Sequence, residues 1–195
     1  EEAIYRGRRA LAWFLLTHRR IAATILRGQT RCANILEIPY YSQTAYAFGE
    51  RAVQYHMAPH QPPQSTFPVD PSNNFLRARL AEDLAQKEAA FDFMVQFQTD
   101  PVKMPIEDPM VAWDPARSPY RKVATVTIPP QRFDAPAQVQ FCEDIAFNPW
   151  RTRPEHRPLG GINRARRTVY PAIAAFRHAR NNTHPVEPTP ALTFA

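Results

Sequence analysis

Phe91-Asp92-Phe93-Met94-Val95-Gln96-Phe97-Gln98, the stretch FDFMVQFQ, decides the fold. Phe91, Phe93, Val95 and Phe97 recur at every second residue, which gathers them on one side of an extended strand but would scatter them around a helix. Working outward, the period changes upstream: Leu76, Leu80 and Leu84 share one helical stripe, predicting a helix from about Phe75 to Glu88 capped by Asn73 or Asn74. Further upstream, Ala45 to Met57 alternates again, with Tyr46 and Phe48, then Val53, Tyr55 and Met57, on either side of Gly49-Glu50. That is the pattern of a hairpin. Downstream, Val123 to Ile128 is rich in Val, Thr and Ile and gives another strand. The class implied is α+β with an antiparallel sheet.

The segments between these elements are punctuated by proline. Pro59 to Pro71 carries five prolines and reads as an extended surface loop, and a second such loop runs through Pro101, Pro105, Pro109, Pro115 and Pro119. Near the amino end, Leu11, Phe14, Leu15, Ile21 and Ile25 recur at helical spacing, predicting an amphipathic helix from Arg8 to Leu26 that Gly28 stops. After Pro129-Pro130 comes a short mixed segment ending in Ile145-Ala146-Phe147-Asn148-Pro149-Trp150. The last element is predicted as a helix from about Asn163 to Asn181, interrupted and kinked at Pro171. One domain over residues 1–182 and a proline-rich tail over 183–195 is the expected organisation.

Composition narrows the function classes. The 195 residues carry 24 Lys+Arg against 18 Asp+Glu, a net charge of +6, with 44% apolar residues and 21 prolines. Apolar and aromatic content near the globular norm excludes wholesale disorder. The longest apolar run, Ala10 to Leu16, is far short of the ~20 residues of a bilayer span, so a transmembrane helix is excluded. Cys32 and Cys142 are too few for a disulfide scaffold and fit a reducing, cytoplasmic setting. Arginine outnumbers lysine 21 to 3, a bias toward planar, two-pronged anion recognition. Eight arginines follow Trp150, but without interleaved stacking aromatics or a recognition-helix pattern, so a nucleic-acid-binding domain is the weaker reading.

Several motifs then occur in a fixed order: PIEDPMVAWDPARSPY over 105–120, KVATVTI over 122–128, VQFCEDIAFNPW over 139–150 and RPEHRPLGGINRARRTVY over 153–170. Together they resemble the second half of the heme catalase barrel, and within that superfamily the small bacterial catalase-like heme proteins. Trp113, the Val123-Ala124-Thr125-Val126 strand and Ala146-Phe147-Asn148-Pro149 stand in the family's order. Arg166-Arg167-Thr168-Val169-Tyr170-Pro171 is similar to the proximal motif R-x-x-x-Y-P, and Arg177 follows the tyrosine by seven residues, as in the family. The resemblance implies the second half of a catalase-like β-barrel with flanking helices and a wrapping loop. It also implies heme b, Tyr170 as axial ligand to the iron, and hydrogen peroxide or organic hydroperoxides as substrates of a complete enzyme.

The chemistry is consistent with that implication. Ferric iron favours anionic oxygen, and a phenol can hold it only after giving up a proton that it ordinarily keeps to a pH near ~10. A neighbouring cation lowers that barrier. Arg166 lies four residues before Tyr170, about one turn, and Arg177 eleven residues after Arg166, close to three turns, so both are expected on the tyrosine's side of the helix. Arg166 would hydrogen-bond the phenolate, and Arg177 would grip a heme propionate. His56, in the strand reading VQYHM, is similar to a histidine of the family's proximal network, and is equally an ordinary core or rim histidine. On spacing alone Tyr170 is a plain core tyrosine; His156 and His178 lack metal-ligand spacing and are expected in solvent.

The family's distal residues, a histidine in a V-x-H-A-x-G strand and a later asparagine, have no counterpart among His18, His56, His60, His156, His178 and His184. The chain is therefore expected to correspond to the proximal part only, inactive alone and acting on peroxide only when complete. Half of a barrel exposes two sheet edges, which invite an N-terminal segment or a second copy of the chain to complete it. Three readings stand: a catalase-like heme protein, a non-catalytic heme-binding or interaction module, and a basic nucleic-acid-binding domain.

Overall fold

A computed structural model describes residues 10, 11, 13–19, 22, 23 and 31–188. The chain divides into residues 1–33 and residues 34–195. In the first unit, residues 10, 11, 13–17, 19, 22 and 23 are helical, as the periodicity predicts; Arg8, Arg9, Ile21, Ile25, Leu26 and the Gly28 stop lie outside the described residues. Leu11, Trp13 and Leu16 of this helix are exposed. Among the described residues no helix is long and apolar enough to cross a membrane.

The second unit is built on a five-stranded antiparallel sheet: β1 (Tyr40–Tyr41), β2 (Tyr46–Phe48), β3 (Arg51–Pro59), β4 (Ala89–Phe97) and β5 (Arg121–Ile128). FDFMVQFQ falls in β4, at the centre of the sheet, between β3 and β5. The predicted hairpin is β2–β3; Phe48 pairs with Arg51, leaving Gly49-Glu50 as the two-residue turn, with Gly49 at φ +64, where glycine has no Cβ to clash. Val53, Tyr55 and Met57 of β3 pair with Phe97, Val95 and Phe93 of β4, so the alternating apolar positions of the two strands share a face. There the rings of Tyr46, Tyr55 and Phe93 follow one another, tilted by 32° and 33°, at 4.9 and 5.1 Å between ring centres.

The opposite face carries the proline loop between β4 and β5. Fully buried Gln96 donates to the carbonyls of Trp113 (3.2 Å) and Ser118 (2.9 Å), and so ties the loop to the sheet. Trp113, Met104 and Ala45 form the core there, with Ala52, Ile106 and Leu159 packed against it. This is why the proline-rich stretch is ordered: its turns replace a regular element, and its few large apolar side chains supply the burial.

Three helices flank the sheet: α1 (Phe75–Gln86), α2 (Pro136–Asp144) and α3 (Gly161–Asn181). The predicted α1 ends two residues early because β4 already begins at Ala89, and its cap residue Asn74 makes no side-chain cap bond. Instead, Asp83 and Asn34 anchor it, with Asn34 Nδ2 2.7 Å from Asp83 Oδ2. The segment after Pro130 holds α2, a helix the sequence reading leaves out. Pro136 occupies its first turn, where a missing N–H costs nothing, and its side chains carry no buried stripe to betray it. The predicted interruption at Pro171 is also absent: α3 runs through it from Gly161 to Asn181.

Of the two open edges expected, one is taken up. Ala47 N–H donates to Arg157 O (2.8 Å), Gly49 N–H to Glu155 O (3.0 Å) and Leu159 N–H to Ala45 O (3.0 Å), so residues 155–159 run along the outer side of β2. The other edge, β5, pairs only with β4 among the described residues, and Arg121 to Thr127 are exposed on both faces. The sheet is open there, not a closed barrel.

Candidate functional site

The candidate site lies along α3, and the residues just before it set the helix in place. Gly160 sits at φ +84, and a Cβ there would come within 2.7 Å of Ile106 O, so a side chain is excluded twice over. At the helix start, Gly161 N–H donates to Glu107 Oε2 (2.9 Å) and Arg164 grips the same carboxylate with both prongs, each at 2.9 Å. The Arg164 hydrogen bonds hold Glu107 below the usual carboxylate range. Two residues after Gly161, Asn163 is wholly buried and uses its amide in full: Nδ2 donates to Ala45 O (3.0 Å) and Leu159 O (2.8 Å), while Oδ1 accepts from Arg166 (3.1 Å) and Thr44 (3.4 Å).

Arg166 is thereby committed to a structural partner set. Its Nη1 bonds Asn163 Oδ1 and Thr44 Oγ1 (3.3 Å), and among the described residues it makes no hydrogen bond to Tyr170. The cation still sits one turn before the phenol, fixed by bonds on its N-terminal side. Tyr170 is 37% exposed and opens onto a cavity of about 230 Å³ whose other walls are Ala146, Phe147, Val169, Ile173, Ala174 and Arg177. A second cavity of about 220 Å³ shares Ala146, Phe147, Tyr170 and Ala174 and extends to His178 and Arg151.

The sequence-predicted pair Tyr170 and Arg177 therefore meets in one concavity. Arg177 reaches it with a guanidinium already in use: Nη1 donates to Glu143 O and Nη2 to Ile145 O (2.6 Å), the carbonyls at the end of α2. His178, expected in solvent, is instead buried, with Nε2 3.4 Å from Arg177 Nη2; the chain after α3 folds back over it, Thr183 N–H donating to His178 O and Val186 N–H to Asp144 O. His156, also expected in solvent, is half-buried against Phe48, 5.4 Å between ring centres. Both corrections have one cause, that a turn and a tail pack where spacing alone shows only polar residues.

His56 belongs to a different cluster. On β3 it lies parallel to Tyr41 (4.5 Å, 7°) and edge-on to Tyr120 (4.6 Å, 60°). Both ring nitrogens are shut off from water with no hydrogen-bond partner among the described residues, and burial pushes the ring's pKa down. Sequence reasoning passed over Asn163 and Glu107, although the GGIN stretch signals a tight turn into a helix with a polar residue in its first turn.

The donor set fits an iron porphyrin. A phenol oxygen is a hard donor suited to ferric iron, and around it Phe147 (80% exposed), Val169 and Ile173 leave apolar surface bare, which marks a site for a flat apolar ligand or a partner. No protein-family model and no curated protein matches the sequence. Solved structures match its fold. A fungal catalase is 20% identical with a TM-score of 0.60, covering 76% of this chain and 32% of its own. Catalase A from Saccharomyces cerevisiae is 18% identical with a TM-score of 0.63 over 74% of this chain and 33% of its own. A bacterial catalase is 14% identical with a TM-score of 0.61 over 80% of this chain and 34% of its own. This chain thus spans about a third of the length of those catalases. At these identities the likeness concerns architecture, and the chain's fold is catalase-like: an open antiparallel sheet with flanking helices, matching part of the catalase fold.

Proposed function

We propose that the chain is a catalase-like heme-binding protein in which the Tyr170 phenolate is the axial ligand of a b-type heme iron. The observation that carries this reading is the placement of Tyr170 in a concavity walled by Phe147, Val169 and Ile173, an apolar face with one anionic-capable oxygen. The R-x-x-x-Y-P motif at Arg166 to Pro171 supports it. When bound, the group would supply a redox-active ferric centre for reaction with hydrogen peroxide or an organic hydroperoxide. The chain's own residues do the rest: Arg166, anchored by Asn163 and Thr44 one turn before the phenol, favours its ionised form, and His56 stays in its own aromatic cluster on β3 with Tyr41 and Tyr120. Fast cleavage of peroxide also needs a distal acid–base pair, and the β5 edge, unpaired among the described residues, is where an N-terminal segment or a second copy would pair to complete the barrel.

Titration with hemin tests the reading. The wild-type chain should give a shifted, intense porphyrin absorption band with the charge-transfer features of ferric phenolate, and Tyr170→Phe should lose those features and bind about tenfold or more weakly, the scale of one lost charged contact. An identical spectrum from Tyr170→Phe would remove the ligand assignment. A steep fall of affinity for a DNA duplex with rising salt, with no hemin binding, would favour the nucleic-acid reading instead.

A further inference from the structure

Resting on the heme-binding reading, we propose that Arg177 is a positioning residue: it holds Phe147 in place as the wall of the Tyr170 concavity and does not itself grip the ligand's carboxylates. Both of its Nη atoms donate to main-chain carbonyls, Glu143 O and Ile145 O (2.6 Å), and Nη1 also approaches Glu143 Oε2 at 3.4 Å. These carbonyls belong to the last turn of α2 and the residue that caps it, where C=O groups lack helical donors and the helix dipole is negative. A planar cation bonding two of them at once fixes the direction in which the chain leaves α2.

The other end of the same short segment is anchored too. Trp150 N–H donates to Asn148 Oδ1 (2.9 Å) and its indole Nε1 to Asn163 O (2.7 Å), so α3 holds residues on both sides of Ala146-Phe147: Arg177 before them, Asn163 after. Between these anchors Phe147 is 80% exposed, an apolar ring kept out in the open by its backbone instead of by packing. It borders both cavities, as do Ala146, Tyr170 and Ala174. Phe147 is therefore the partition beside the phenol, and its position depends on the Arg177 fork.

Two probes separate this role from a carboxylate grip. In the free chain, Arg177→Ala should speed amide hydrogen exchange across residues 145–150 by about tenfold or more, as expected for losing a charged hydrogen bond, with exchange in β3 and β4 unchanged. The same variant should weaken binding of hemin and of hemin dimethyl ester, which has no free propionates, by the same factor of about ten. Phe147→Ala should weaken both ligands while leaving exchange at wild-type rates. Unchanged exchange in Arg177→Ala, or an affinity loss confined to free-acid hemin, overturns the proposal. Should Arg177→Ala fail to fold, Arg177→Lys carries the test: it keeps the charge but not the fork, and must give an intermediate rise in exchange. A wild type that binds neither porphyrin sinks the heme reading, while the exchange measurement still decides the clamp.

Discussion

Asn163 and His56 are both polar and both withdrawn from water, and they differ in how their polar atoms are used. Asn163 meets four partners with its single amide, which joins the start of α3 to Thr44, Ala45 and Leu159. Among the described residues His56 meets none with either nitrogen. A buried unpartnered nitrogen is a standing cost of about 1–3 kcal/mol, and it grows when the ring must also carry charge. Burial lowers the His56 pKa below its ordinary value near 6.5, so the folded chain refuses a proton that the unfolded chain accepts. The contribution of the neutral ring is whole above that ordinary value and is lost as pH falls toward the lower folded value. Melting temperatures of wild type and His56→Phe between pH 7.5 and 5 should diverge in slope, the wild type falling faster and the variant, whose ring suits the space between Tyr41 and Tyr120, staying flatter. Equal slopes would count against the orphaned ring as the cause.

At the scale of the element, α3 shows how tertiary anchors override a local breaker. Proline inside a helix costs up to about 3 kcal/mol relative to alanine, because Arg167 O loses its donor and the ring crowds the preceding turn. The helix continues nonetheless, held at one end by Glu107 and Asn163 and at the other by Arg177 and buried His178. Pro171 is exposed, on the wall of the second cavity. Pro171→Ala should therefore raise the unfolding midpoint by the equivalent of about 1–3 kcal/mol in chemical denaturation; a lower midpoint would mean that the proline fits a bend its surroundings require. The boundaries of α3 were legible because its apolar and arginine positions keep helical period. Those of α2 were not, since nine residues with a proline in the first turn and no buried side chain carry no periodic signal.

For the molecule as a whole, β5 is a long sheet edge that pairs on one side only among the described residues. Seven of its eight residues are exposed, Val123 to Ile128 carries no charge, and the cations Arg121 and Lys122 stand at one end only. Such an edge is a template for a further strand. Sedimentation over a range of concentrations should show the chain self-associating, and Val123→Lys with Thr125→Lys should return it to monomer without loss of the melting transition; a wild type that stays monomeric at high concentration would argue against self-pairing at β5. The sequence by itself determined the central strand, the hairpin, the helices α1 and α3 and the arginine–tyrosine spacing, because period and turn chemistry act over a few residues and need no distant partner. Only the tertiary structure decided that Arg166 turns to Asn163 and Thr44, that Arg177 holds the end of α2, that His178 is buried, and that residues 155–159 run beside β2 while β5 pairs only with β4 among the described residues. Apart from the Arg166–Asn163 bond within one turn of α3, each of those outcomes joins groups more than thirty residues apart or depends on what packs over a surface, and local sequence carries no record of which partner a polar group will find.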